Sequence, residues 1–321
     1  MSEVKVRDVK LGTRTVQFPS SYLQPLEDSN SLLDDVDALK NELHNKGYLY
    51  LKDFHDRKEV LNARKAVLEY IKSTGEEKIR LTHPLGDGVL QKGCGVGCIP
   101  SMEGKNEISH SEAIRAVIEG PRPFNFFRKL FGRDVRTLDY KWLRAVHHEA
   151  YTGAHVDNVY MSRGSKDLHT MWTPLGDLPV EMGVLAMCEG SNCLPGFRHF
   201  QETYGNMDAD AINLNGTGWF TCDPYEITEK FGGQWKTTDF RAGDVMIFNM
   251  QTVHMSTCNM TEFARVSCDT RWQPADDVFD MRYMEDCVGS VKKYGLSTKD
   301  NEDADDKEPT IEVMRTRWGL Q

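Results

Sequence analysis

The chain has 321 residues, 39% hydrophobic and 27% charged, an ordinary globular composition with ample material for a core. Its formal charge of −10, from 49 acidic and 39 basic side chains, argues against a general nucleic-acid or anionic-membrane binder, since both need basic surface. No run approaches the roughly 18 apolar residues of a membrane helix. The N-terminus lacks the apolar centre of a secretory signal and "RWGLQ" matches neither a peroxisomal nor an ER-retention tail, so a cytoplasmic protein is expected.

Residues 1–30 contain "PSSYLQPLEDSNS", show no strong period and read as an extended leader. From Ser31, a candidate N-cap, Leu32, Leu33, Val36, Leu39 and Leu43 fall on one helical face, and Gly47 ends the run. "GYLYLKDF" predicts a short buried strand, and residues 58–72 a second helix with Val60, Leu61, Val67, Leu68 and Ile71 on one side. "KGCGVGCIP" imitates a phosphate-binding glycine loop, but its third glycine falls on Cys98 and no helix pattern follows. Cys94 and Cys98 lack a second metal-binding pair, and eight cysteines in this length are no dense disulfide framework, so the stretch reads as a loop. "SEAIRAVIEGP" gives a third helix from about Ser111 to Gly120, and "PFNFFRKLFG" a short fourth.

Near Tyr140 the texture changes. "YKWLRAVHHE", "HTMWTPLGD", "GVLAMCEGS", "DVMIFNMQTVH" and "ARVSCDTRWQ" are strand-like runs parted by Gly, Pro and Asp, the pattern of a barrel or sandwich. The fold expected is mainly β with flanking helices, in one compact unit: a helical part over 31–139, a barrel core over 140–275, and an extension over 276–321 with an acidic, mobile segment at 297–309.

Within the strand-rich region, "AHVDNV" sets His155 and Asp157 one residue apart. If the stretch is a strand, both side chains share a face. Alone, such a pair is more often an incidental surface His and Asp. The later run "AGDVMIFNMQTVHMS" supplies His254, and eleven residues on stands Arg265. Two histidines and one carboxylate on one face of a metal leave other positions open, the arrangement of non-haem Fe(II) oxygenases. An oxo-acid co-substrate would need a bidentate cation and a hydroxyl for its far carboxylate, and Arg265 with Ser256 supplies both.

The chain resembles the phytanoyl-CoA dioxygenase family of Fe(II)/2-oxoglutarate oxygenases. The resemblance rests on "HVD" (155–157), "TMWTPLGDLP" (170–179), "MCEGSN" (187–192), "AGDVMIFNMQTVHMS" (242–256) and "ARVSCDTRWQ" (264–273), in this order over roughly residues 40–275. It implies a double-stranded β-helix, a jelly-roll or cupin-like barrel, with an N-terminal helical part packed on it. It implies that His155, Asp157 and His254 bind Fe(II), that Arg265 and Ser256 hold 2-oxoglutarate, and that Trp172 lines the co-substrate pocket. Asn192 stands where many members carry a His outside the metal triad. Lys141, Leu143 and Arg144 are candidates to complete the co-substrate pocket, and Asn158 is a candidate substrate contact. Arg271 is expected to pair with a structural carboxylate, and His147, His148, His169 and His199 to be non-ligands.

The activity implied is hydroxylation, or another oxidation such as desaturation, of a small-molecule substrate, with O2 consumed, succinate and CO2 released, and ascorbate as a reductant. Neither nucleic acid nor membrane is an expected partner. Halogenating relatives replace the carboxylate with a small residue, whereas here it is Asp157. Two other readings stand beside this one: a catalytically silent metal-binding member acting as a regulatory module, and a non-oxidative cupin-like metalloenzyme.

Overall fold

A computed structural model describes residues 5–74, 79–82, 87–90, 102–284 and 309–321. The Cys94–Cys98 loop and nearly all of the acidic segment 297–309 lie outside the described residues. The chain opens with a hairpin, β1 (Arg7–Leu11) and β2 (Arg14–Phe18), followed by β3 (Leu23–Pro25). The leader expected here is thus extended but built into the fold. Val9, Leu11, Val16 and Phe18 are buried at period-2 spacing on either side of a turn at Gly12, whose φ of 55° suits glycine.

Helix α1 spans Val36–Lys46 and is capped by Asp35, which accepts from Ala38 N, rather than by Ser31. Residues Asn30–Leu32 form a separate 3-10 turn. The carboxylate of Asp35 meets an amide that the helix leaves unbonded, and Gly47 at φ 87° closes the other end. Strand β4 is Tyr48–Leu51, and α2 (Arg57–Ser73) is capped by Asp56. A small hairpin, β5 (Ile79–Thr82) with β6 (Asp87–Leu90), precedes α3 (Glu112–Ile118) and α4 (Pro121–Phe131). Helix α4 is longer than its apolar run suggested because Pro121 starts it instead of breaking the chain.

Then come β7 (Val135–Thr137), β8 (Trp142–Val146), α5 (Asn158–Met161), β9 (His169–Pro174) and β10 (Leu185–Glu189). Helices α6 (Arg198–Glu202) and α7 (Pro224–Phe231) lead to β11 (Gln234–Thr237), β12 (Val245–Asn249), β13 (His254–Ser256) and β14 (Arg265–Pro274). A final helix, α8 (Ile311–Trp318), lies in the extension and was not anticipated. Thr310 caps it, Gly319 ends it, and Arg315 lies 4.4 Å over the ring of Phe220. No helix among the described residues is long and apolar enough to cross a membrane.

Two sheets make the double-stranded β-helix. The larger runs β4-β12-β9-β14-β7, with β8 also paired to β14; the smaller runs β13-β10-β11-β3. All these pairings are antiparallel except β11 with β3. Strand alternation gives the large sheet two unlike faces. Outward, Leu49, Leu51, Met171, Val245, Ile247 and Trp272 pack against Leu39, Leu43, Phe126, Phe127 and Leu130 of α1 and α4. Leu143, Ala145, Val266 and Cys268 lie under α2 and α3. Inward, Tyr48, Tyr50, Trp172, Met246 and Phe248 share a core with Leu185 and Met187 of the small sheet. Strand β14 is the exception on that side: Arg265, Ser267, Asp269, Arg271 and Gln273 are all buried and alternate with its apolar residues.

Lys141, just before β8, belongs to the helix-covered side. It is fully buried, with Nζ 2.5 Å from Glu119 and 2.5 Å from the carbonyl of Leu138. Burial opposes the Glu119 charge, but Lys141 and Arg115 together outweigh it and the carboxyl titrates below its ordinary value. Glu119→Gln leaves the Lys141 cation unpaired and should cost about 3 kcal/mol at neutral pH. Because the folded pKa is depressed, the wild type gives up this contribution as pH falls below the ordinary glutamate value and through the folded one. Urea denaturation should show the gap between the two proteins closing over that acid range.

Candidate metal centre

His155 and His254 face each other across an isolated bridge between the segment before α5 and the start of β13. They exchange both backbone hydrogen bonds, His155 N to His254 O at 3.0 Å and His254 N to His155 O at 2.9 Å. The imidazole centroids lie 4.2 Å apart. The expectation of a strand through 154–159 holds only as far as this bridge. Asp157 is already in the helical region, at φ −64° and ψ −26°, and leads into α5, whose first amide donates to Met250 O at 2.9 Å. A turn, not strand alternation, therefore brings the carboxylate beside the imidazoles. Asp157 Oδ1 is 3.8 Å from Nε2 of each histidine, and one ligand atom from each residue lies within 4.8 Å of the others.

Each imidazole is held through its other nitrogen. His155 Nδ1 lies 2.8 Å from Gly153 O, and His254 Nδ1 lies 3.0 Å from Thr252 O. A carbonyl can only accept, so both Nδ1 atoms carry a proton and Nε2 is the nitrogen each ring can offer to a metal. Burial and then the neighbouring His254 push the His155 pKa down to about 3, which keeps the ring neutral. Burial opposes the Asp157 charge, yet Arg271, His254 and His155 together hold its carboxyl well below the usual range. Neutral nitrogen donors with a hard anionic oxygen suit Fe(II). All three residues are buried.

Asp157 Oδ2 accepts from Thr170 Oγ1 at 2.7 Å and pairs with Arg271 Nη2 at 3.0 Å. Arg271 was expected to serve some other carboxylate, but its partner is the carboxylate of this cluster. The signal was present: residues 265, 267, 269 and 271 of one strand share a face, so an arginine at 265 pointing inward implies another at 271.

Arg265 begins β14 opposite Val146 and donates from Nη1 to Ser267 Oγ at 2.9 Å. Ser256 lies two residues beyond His254 on β13, and its Oγ accepts from Thr152 N at 2.8 Å. Trp172 lies two residues beyond Thr170, cross-strand from Met246 and Asp269 and edge-on to Phe240 at 4.9 Å. Arg144 joins the inner side, donating to Glu103 at 2.8 Å and Asp269 at 2.7 Å. Leu143 and Lys141 do not, being covered by helices. Asn158 donates to Gly205 O at 2.7 Å and so ties α5 to the following 3-10 turn, Tyr204–Asn206. Asn192 donates to His44 O at 2.7 Å, anchoring its loop to the end of α1. His147 and His148 lie in the turn after β8, and neither they nor His169 and His199 belong to the cluster.

A double-stranded β-helix presenting two imidazoles and one carboxylate from a buried centre defines a non-haem iron enzyme of the oxygenase type. The chain belongs to the phytanoyl-CoA dioxygenase family, whose profile matches residues 43–267, and it is an oxidoreductase dependent on Fe(II) and 2-oxoglutarate. A named relative, the 1-deoxypentalenic acid 11-beta-hydroxylase of Streptomyces arenae, is 24% identical over 260 residues, spanning 77% of this chain and 84% of its own length. The enzyme of the same name from Streptomyces exfoliatus is 25% identical over 270 residues with the same coverage. Two solved structures share the fold. The non-heme alpha ketoglutarate dependent epimerase SnoN from nogalamycin biosynthesis is 19% identical at a TM-score of 0.50, covering 82% of this chain and 95% of its own. The carbocyclase SnoK from the same biosynthesis is 18% identical at 0.51, covering 80% and 90%.

Removing Asp157 strands a buried guanidinium. In metal-free protein, Asp157→Ala should lower the unfolding free energy by about 3–5 kcal/mol, and Asp157→Asn, which keeps an acceptor, by less. Equilibrium denaturation in the presence of a chelator measures both.

Proposed function

We propose that this protein hydroxylates an unactivated C–H bond of a small organic molecule in the cytoplasm, using Fe(II) held by His155, Asp157 and His254. The balanced reaction takes substrate, 2-oxoglutarate and O2 to hydroxylated substrate, succinate and CO2, with ascorbate maintaining the reduced metal. Iron with 2-oxoglutarate would supply the oxidising chemistry; the chain supplies binding, orientation and exclusion of water. The observation that carries the reading is that the buried cluster combines two Nε2 atoms with one carboxylate oxygen.

The remaining roles follow from position. Arg265 lies on the same face of β14 as Arg271, which reaches Asp157, and so is placed to grip the far carboxylate of the oxo acid with its planar fork. Ser256 shares a face of β13 with His254, and Trp172 shares one of β9 with Thr170, so both flank the same space. Asp157 favours hydroxylation over halogenation, because a carboxylate fills the position a halide would need. The two Streptomyces relatives, both named as hydroxylases, point the same way. A silent regulatory member would be marked by a missing ligand or arginine, and a non-oxidative metalloenzyme needs no oxo-acid anchor.

Anaerobic addition of Fe(II) and 2-oxoglutarate should produce the weak visible charge-transfer band of the chelate. Admitting O2 should then release succinate, and metabolite screening with mass spectrometry should find a product heavier by one oxygen atom. Absence of both band and succinate would refute the oxygenase reading. Arg265→Ala should raise the KM for 2-oxoglutarate at least about tenfold, and Arg265→Lys by less, since lysine offers a point charge without the fork. Steady-state kinetics against 2-oxoglutarate distinguishes the two variants.

A further inference from the structure

We infer that Arg271 and Thr170 clamp Asp157 so that only its Oδ1 can bind a metal, which makes Arg271 a positioning residue of this centre; the inference rests on the oxygenase reading above. A carboxylate oxygen accepts about two hydrogen bonds. Oδ2 already accepts one, from Thr170 Oγ1 at 2.7 Å, and is ion-paired with Arg271 Nη2 at 3.0 Å, which together occupy that oxygen. Oδ1 is the atom that sits 3.8 Å from both imidazole Nε2 atoms. The carboxylate cannot turn its second oxygen inward without giving up an ion pair and a hydroxyl hydrogen bond together.

The clamp is itself fixed. Arg271 and Thr170 are cross-strand partners in the register of β14 and β9, so neighbouring inner-face side chains close on one oxygen. The guanidinium carbon lies 4.3 Å over the ring of Trp142, Nε is 3.3 Å from Met161 Sδ, and the residue is 3% exposed. An unrestrained carboxylate can chelate a divalent ion through both oxygens. In a six-coordinate centre with two histidines, chelation leaves two positions, which a bidentate oxo acid would fill. One-oxygen ligation leaves three, so a position remains beside the oxo acid. The clamp thus sets how many places the centre keeps for small ligands.

The test uses the full-length protein loaded anaerobically with Co(II), with Arg271→Met, Arg271→Lys and Thr170→Val as variants. Infrared spectroscopy reads the splitting between the two carboxylate stretches, which narrows when a carboxylate chelates, and titration reads 2-oxoglutarate affinity. Thr170→Val keeps the cation and frees the same oxygen, so it separates a clamp from simple neutralisation of the Asp157 charge. Both Arg271→Met and Thr170→Val should narrow the splitting and weaken 2-oxoglutarate binding, by about tenfold or more for Arg271→Met, while Co(II) stays bound. Arg271→Lys should fall between Arg271→Met and wild type. A folded Arg271→Met with wild-type splitting and oxo-acid affinity overturns the inference. So does a change in Arg271→Met that Thr170→Val does not share. If Arg271→Met does not fold, Thr170→Val decides by the same readouts. Failure of the wild type itself to bind Co(II) and 2-oxoglutarate would instead count against the oxygenase reading.

Discussion

The centre depends on one backbone contact, the pair of hydrogen bonds that His155 and His254 exchange across their bridge. The two residues are 99 positions apart in the chain, and that bridge, flanked by the Thr152–Ser256 and Asn158–Met250 hydrogen bonds, puts both imidazoles on one spot. Each ring is then oriented by a carbonyl two residues before it, Gly153 for one and Thr252 for the other. The device is the same on both sides, so the metal-facing nitrogen is set by local chain geometry and does not wait for the metal. Asp157 arrives by a different route, through the turn into α5, and is restrained from the opposite sheet.

A polar interior of this kind is tolerable because its charges are matched. Arg271 meets Asp157, and Arg144 meets both Glu103 and Asp269. Burying such groups costs free energy unless partners and hydrogen bonds compensate. The compensating burial lies on the other face of the same sheet, where α1, α2, α3 and α4 cover continuous apolar rows. Strand β14 joins the two environments: its Trp272 stacks on Phe127 with centroids 4.7 Å apart, while its Arg271 reaches the carboxylate of the candidate metal cluster. The helical layer is thus the support that lets one strand carry five buried polar side chains on its inner face.

Much of this could be read from the sequence, for identifiable reasons. Helices α1 and α2 announce themselves by apolar spacing, and β4, β9, β10, β12 and β14 by short apolar runs between turn residues. His155, Asp157 and His254 come together as expected, because motif order carried long-range information that periodicity cannot. Three things were less accessible. The first strands alternate too briefly to stand out from a polar leader. Helix α8 depends on a cap and a glycine rather than on an apolar stripe. The geometry at Asp157 is set by a turn whose direction comes from Asn158 N bonding to Met250 O, a tertiary contact with no local signal. The inward face of Arg271 could be read from the alternation of β14, but its partner could not, since Asp157 is delivered by the turn into α5.

The N-terminal strands also bear on where this protein can be cut. Leu11 forms a bridge with Thr257, Lys10 O accepts from Cys258 N, and β3 completes the small sheet beside β11. The first two contacts lie immediately after β13, the strand that begins with His254, while β3 closes the far edge of the same sheet. A fragment trimmed at residue 31 would keep His155, Asp157 and His254 yet strip the flank of the strand that delivers the last of them. What looks like a dispensable leader is a brace for a histidine of the candidate metal cluster more than two hundred residues downstream.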